Sequence, residues 1–349
     1  MENENKVPEL ISRRRAISRI LGIPPVLLGI SALGTNNYLQ LIEESHAARP
    51  LVVEPYSLVD MHEYLDNAWD LFTYGSVDVL SGVRKQKYRI EEAAVQSGDR
   101  QTLSLLHRYE HFLLMVGRQK QDYAGTDPER LIDLAAQTNE PDALAISLYR
   151  RGKMHFQRHA YKAAIDDIRG AFHFIEKAGP QVKGVTLVGA GPVLAHHAVD
   201  QSDVHEILML LEKAEKCLDP ANGYPDPFRA RFDESWYLLA RASALIPLLR
   251  LDPSLLDEVF QVLDLAQQKT GPHEIRRKAN IELLYADASL YAGEYLSSAD
   301  TALEALELAQ SVNSAWNIER IKGIYVKLTQ TKIKNSTELR TLGKALAKN

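Results

Sequence analysis

A chain of 349 residues, 45% of them hydrophobic, exceeds the usual size of a single globular core and carries enough apolar material for a large interior, so several domains or an elongated stack are expected. The net charge of −5, from 41 Lys and Arg against 46 Asp and Glu, argues against a general affinity for phosphate backbones. One cysteine, Cys217, excludes an internal disulfide and suits a reducing cytoplasm; its setting in LEKAEKCLDP suggests a buried helix position without an activating base.

Residues 1–50 read as an N-terminal arm. Ser12, Arg13, Arg14 and Arg15 precede the apolar run ILGIPPVLLGISAL, which has the outline of a twin-arginine export signal. Ala16 stands where such a signal carries a bulky residue, Pro24 and Pro25 break the run, and no small-x-small cleavage site follows closely. The arm is therefore expected to dock on the first helices of a cytoplasmic protein, with export as the alternative. The run is too short and too broken to span a bilayer, and no membrane partner is expected.

Residues 51–349 form the second region, helix and turn without sustained period-2 alternation. Asp60 to Tyr74 places Leu65, Ala68, Trp69 and Phe72 on one face, and Gly75 reads as its stop. Gln101 to Arg118 repeats the pattern with Leu105, Leu106, Tyr109, Phe112, Leu113 and Val116, and Asp127-Pro128 opens a helix ending at Ala136. A hairpin from Ala143 to Ala178 follows, closed by Gly179 and Pro180. Val185 to Val199 pairs with Val204 to Leu218, Phe228 to Leu249 with Ser254 to Lys269, and Ile275 to Ala292 with Leu296 to Leu308. Trp316 to Leu328 and Thr337 to Leu346 read as a polar cap, residues 314–349, for an open-ended stack.

Small and aromatic residues set the register. Gly152 suits a close crossing with the next helix, on which Tyr161, Ala164, Ile168 and Ala171 recur at three- and four-residue steps. Gly293 and Tyr295, followed by Ala302 and Ala305, repeat the turn of His159 and Tyr161. The pattern resembles a tetratricopeptide (TPR) helical hairpin, and roughly seven such hairpins at a period of about 35 to 42 residues cover residues 56–349. The expected fold is all-α, a TPR-like α-solenoid.

Several short patterns carry possible chemistry. His107, Glu110 and His111 spell H-x-x-E-H, two histidines one turn apart with a glutamate base, the arrangement of inverted zinc metallopeptidases. It lacks the further carboxylate ligand and the α/β setting of those enzymes, so a helical metallohydrolase using His107, Glu110 and His111 is the alternative reading. His196, His197 and His205 could gather at a hairpin; GVTLVGAGPVL lacks the third glycine and the βαβ context of a nucleotide loop and reads as a closely packed helix. Arg150 and His155 have the R-x4-H spacing of some helical ribonucleases but lie inside a well-registered hairpin. No catalytic constellation and no cofactor are expected.

What remains is a binding groove. The first helices of the two registered hairpins would present Tyr149, Lys153, Phe156 and Gln157 from one, and Asn280, Leu283, Asp287 and Tyr291 from the other, a mixture suited to an extended peptide or a partner helix. SRRRAISRILGIPPVLLG, LLHRYEHFLLMVGRQKQDY, ALAISLYRRGKMHF with AYKAAIDDIRGAF, and NIERIKGIYVKLTQTKIKNSTELRTLG give the chain a further likeness: it resembles the C-terminal TPR region of bacterial XRE-type helix-turn-helix regulators. The resemblance implies a scaffold that binds a protein or peptide in signalling or transcriptional control, possible homodimerisation, and a packed helix around RYEH. Those regulators place a DNA-binding domain before the RRR segment, where here only about twelve residues stand, so direct nucleic-acid recognition is not expected. From Ser314 to Asn349 eight Lys or Arg face two Asp or Glu, so the basic C-terminus is the one alternative route to DNA.

Overall fold

The computed structural model describes residues 57–74, 79–123 and 126–348; the N-terminal arm with its arginine cluster and apolar run, and Gly75, lie outside the described residues. Among these residues the chain is all-helical, with fifteen α-helices and no strand. In chain order they are α1 Leu58–Tyr74, α2 Leu80–Ser97, α3 Arg100–Lys120, α4 Pro128–Thr138, α5 Pro141–Gln157, α6 Tyr161–Phe172, α7 Pro180–Ala195 and α8 Gln201–Glu215. The short α9 Leu218–Ala221 precedes α10 Glu234–Leu248, α11 Leu256–Lys269, α12 Ile275–Ala292, α13 Tyr295–Ser311, α14 Ala315–Thr329 and α15 Thr337–Leu346. No helix of the described residues is long and apolar enough to cross a membrane.

Local chemistry sets the boundaries. Asp99, Asp127, Asp200 and Asp233 accept backbone N–H bonds at the starts of α3, α4, α8 and α10, and Ser336 does so for α15, satisfying donors that a helix start leaves free. Gln121, Asn139, His159, Gly293 and Asn313 turn the chain with positive φ at helix ends. His159 at φ 59° and Gly293 at φ 78° occupy the same left-handed turn ahead of Tyr161 and Tyr295, the physical basis of the repeat read in the sequence.

From α3 onward the helices form consecutive antiparallel pairs: α3 with α4, α5 with α6, α7 with α8, α10 with α11, α12 with α13, α14 with α15. The first members also pack on one another in the order α3, α5, α7, α10, α12, α14. They do not end there, because α14 packs back on α3 and Ser314 Oγ lies 3.1 Å from Gln119 Oε1. Six inner helices thus run in a closed cycle with their partners outside. The expected open-ended stack is thus closed on this side: α14 packs against α3, and α15 covers α13 and α14.

Helix α7 holds the middle of the largest apolar cluster. From Gly184 to Ala195 every residue of it is buried, so this part is surrounded on all sides. Its glycines admit neighbouring side chains: Phe232 lies against Gly184, Tyr149 against Gly189, and Ala244 and Leu211 against Gly191. GVTLVGAGPVL is thus a tightly surrounded helix. Gly152 meets the Ala164 carbonyl and Ile168 of α6, and Ala164, Ile168 and Ala171 are all 0% exposed.

Two segments lie across the ring. Helix α1 packs on α3, where Met61 O accepts the Tyr109 hydroxyl at 2.8 Å, yet Asp66 meets Arg229 at 2.9 Å and the Phe72 carbonyl accepts from Arg276 of α12 at 3.1 Å. The segment between α9 and α10 also reaches the α3 side, because the buried Phe228 ring packs edge-on against His107 and His111 at 5.5 and 6.3 Å. Both segments wall in the space enclosed by the cycle.

Candidate functional site

Each of the six inner helices contributes side chains to one cavity of about 260 Å³. Tyr149, Lys153, Phe156 and Gln157 come from α5, Met115, Arg118 and Gln119 from α3, Asn280 and Leu284 from α12, and Trp316 and Arg320 from α14. Helix α1 adds Trp69 and Phe72, and α10 adds Trp236, so all three tryptophans of the chain face this space.

The cavity carries the opposite charge to the chain. Among the described residues, eight Arg or Lys side chains line it and Glu274 is the one carboxylate. Three of the cations have acidic partners: Arg229 pairs with Asp66, Arg277 with Asp233 at 2.6 Å, and Arg231 reaches Glu274 at 3.7 Å. Arg229 and Arg231 both stand at positive φ, 47° and 54°, in a turn held by the Asp226 carboxylate, which accepts the N–H groups of Ala230 and Arg231 at 2.8 and 2.7 Å. Non-glycine residues adopt this conformation at a cost, so the turn is held by its carboxylate.

The other five cations, Arg118, Arg150, Lys153, Arg276 and Arg320, have no carboxylate within ion-pair distance among the described residues. Arg276 spans the Phe72 ring at 4.7 Å. Arg150 is 3% exposed, covers the Tyr149 ring at 4.9 Å and donates from Nε to His111 Nε2 at 3.2 Å. Arg118 is 8% exposed, and its Nε and Nη1 have no hydrogen-bond partner among the described residues. Burial lowers the proton affinity of all five. Lys153 falls to about 7, first from desolvation and then from repulsion by Arg118, Arg320 and Arg150. Arg150 falls to about 10, chiefly by desolvation.

Five of the eight residues expected to line a groove, Tyr149, Lys153, Phe156, Gln157 and Asn280, lie on this cavity. Leu283 does not: it is 0% exposed and packs with Ala286, Ala302 and Ile321, while Leu284, one residue or 100° further round α12, faces the cavity. Asp287 and Tyr291 lie nearer the C-terminal end of α12 and are drawn to α14 instead, where Lys327 meets Asp287 at 3.6 Å and sits 6.0 Å from the Tyr291 ring.

His107, Glu110 and His111 are 0–1% exposed and turn to different neighbours. His107 Nε2 is 2.7 Å from Ser147 Oγ, whose hydrogen goes to the Ala143 carbonyl at 2.6 Å, so the imidazole donates from Nε2. His111 accepts from Arg150, which puts its proton on Nδ1. Glu110 reaches the other way, to Lys87 of α2 at 2.6 Å and Arg130 of α4 at 3.8 Å. The motif is a polar seam between α3 and its neighbours, and no cluster of three metal-ligating side chains occurs among the described residues. His196 is at the cavity, His197 packs edge-on against Tyr161 with ring centroids 4.7 Å apart, and His205 is exposed. His155 lies 3.6 Å from Asp167, away from the Arg150–His111 contact. Cys217 is buried, and desolvation raises its thiol pKa.

Sequence reasoning placed the α5 face but missed Arg118, Arg276, Arg320 and the tryptophans. Trp69 and Arg118 stand in the sequence as members of apolar helices, and nothing local marks them as lining a cavity. Comparison with protein-family models, curated proteins and solved structures finds no match to this chain.

Proposed function

We propose that the chain is a non-enzymatic, TPR-like binding scaffold that encloses an acidic segment of a peptide or protein partner within its ring of inner helices. The observation that carries this reading is the charge of the cavity, eight cations against one carboxylate among the described residues, in a chain of net charge −5. Aromatic rings and the amides of Gln119, Gln157 and Asn280 supply the apolar and hydrogen-bonding surface that an extended segment needs. The volume suits a few residues of a ligand rather than a folded domain. A place in signalling or transcriptional control follows from the resemblance to XRE-type regulators and is proposed on that basis.

Fluorescence anisotropy with labelled hexapeptides tests the reading. Glutamate-rich peptides should bind the full chain at 150 mM salt while lysine-rich ones do not, and Arg276→Ala should weaken the former about tenfold or more, the scale of one charge-assisted contact. Equal binding of acidic and basic peptides, or none of either, would overturn it.

A further inference from the structure

Within the cavity the cations are not spread evenly. Arg118 on α3, Arg150 and Lys153 on α5 and Arg320 on α14 line the same cavity, and α3 packs on both α5 and α14 where the cycle closes. The surrounding protein supplies charge partners freely elsewhere: Arg151, next in sequence to Arg150, holds Asp167 through two nitrogens at 2.9 and 2.6 Å. The acid closest in influence to Arg320 is Asp287, and it is engaged with Lys327. Arg118 is buried with two guanidinium nitrogens that have no hydrogen-bond partner among the described residues. Unpaired charge of this kind opposes folding unless something outside the described residues neutralises it.

We infer that Arg118, Arg150, Lys153 and Arg320 form a phosphate-binding subsite, built to take a phosphate monoester or diphosphate group. The inference rests on the anion-binding reading above and narrows its chemistry. A carboxylate has two oxygens and is matched by one guanidinium fork, as at Arg151, whereas a terminal phosphate presents three oxygens and up to two charges and can use several forks together. Three guanidiniums and an ammonium therefore exceed what one carboxylate needs. Tyr149, Phe156 and Trp316 beside them provide apolar faces for whatever bears the phosphate. Because the four cations come from α14, α3 and α5, an anion held among them ties the last inner helix to the first and reinforces ring closure.

The test uses the full chain with inorganic pyrophosphate, inorganic phosphate and a phosphoserine hexapeptide, each against sodium chloride at matched ionic strength, read by calorimetric titration and by melting temperature. The expected result is saturable binding of pyrophosphate with a raised melting temperature, weakened about tenfold or more by Arg118→Gln and by Arg320→Gln but not by Lys322→Gln on the exposed surface. Arg320, a partly exposed cavity wall, gives the informative variant if the buried Arg118 change impairs folding. Tighter binding of the phosphopeptide than of its unphosphorylated form would assign the group to a peptide, and pyrophosphate binding alone to a free phosphate compound. No stabilisation beyond chloride, or equal binding by wild type and both variants, would overturn the subsite. Should glutamate-rich peptides still bind in that case, the scaffold reading survives; should they fail while pyrophosphate binds, that reading falls and the subsite stands.

Discussion

The ring of Tyr149 occupies the space where a Cβ at position 189 would have to be: its Cε2 and Cζ atoms stand 2.5 Å from that point. Gly189 therefore lets α5 and α7 approach and keeps the tyrosine on the cavity wall. Gly189→Ala should destabilise the protein by about 1–3 kcal/mol, the usual cost of forcing an atom into a packed interior. Pairing it with Tyr149→Leu, which removes the ring, should restore much of the loss. Urea unfolding of the two single variants and the double variant measures the coupling, and additive losses would contradict the geometry.

Lys153 makes stability depend on alkaline pH in an unusual direction. Its folded-state pKa, about 7, lies below the ordinary 10.5, so between these values the unfolded chain binds more protons than the folded one. Stability from this group therefore rises as pH rises from about 7 toward 10.5, and its charge penalty is fully present below pH 7. Melting temperature measured between pH 6.5 and 9.5 should climb for the wild type and flatten for Lys153→Met. Arg118, Arg150 and Arg320 face it from α3, α5 and α14, and Arg150, lowered to about 10, adds to the climb only at the top of that range.

The buried histidines set the acid limit. Desolvation holds His107 at about 3 and His111 well below 6.5, so as pH falls through 6.5 the unfolded chain takes up protons that the folded chain refuses. Each histidine should contribute a loss of roughly 1.4 kcal/mol per pH unit in that range. Glu110, whose pKa burial raises, takes its proton earlier in the folded state and offsets part of the loss at lower pH. Denaturant titrations at pH 7 and pH 5 should show a smaller difference for His107→Gln, which keeps a donor toward Ser147.

At the turn between α5 and α6, exposed His159 stands at φ 59°, where glycine is at ease and a β-carbon is crowded. His159→Gly should stabilise the protein by about 1 kcal/mol, the solvent-exposed contact to the Tyr161 hydroxyl at 2.8 Å being the smaller loss. An increased urea midpoint at unchanged slope is the expected reading.

Helices with a full apolar stripe and clear punctuation were legible in the sequence. Ile275–Ala292 and Thr337–Leu346 fall where periodicity and turn residues place them. Helix α2 went unread because its buried face is sparse: Leu80, Val83, Ile90 and Ala94 are joined there by Gln86 and Lys87, and burying Lys87 depends on Glu110 from another helix. The inner face of α5 was readable from the step of three and four that joins Tyr149, Lys153 and Phe156. On α12 the same reasoning picked Leu283 over Leu284, because periodicity identifies a stripe but not which neighbour covers it. The cationic cluster could not be read at all, since Arg118 and Arg320 are brought together only when α14 returns to α3.

That return also fixes how many pairs the protein can have. An open array tolerates the gain or loss of a unit at little penalty, because each unit answers only to its neighbours. Here α3 and α14 each fill the place of a missing neighbour for the other, so deleting or duplicating any one pair would leave two mismatched ends facing across a gap. Such a chain should melt as one cooperative body and evolve by substitution instead of by changing its number of units.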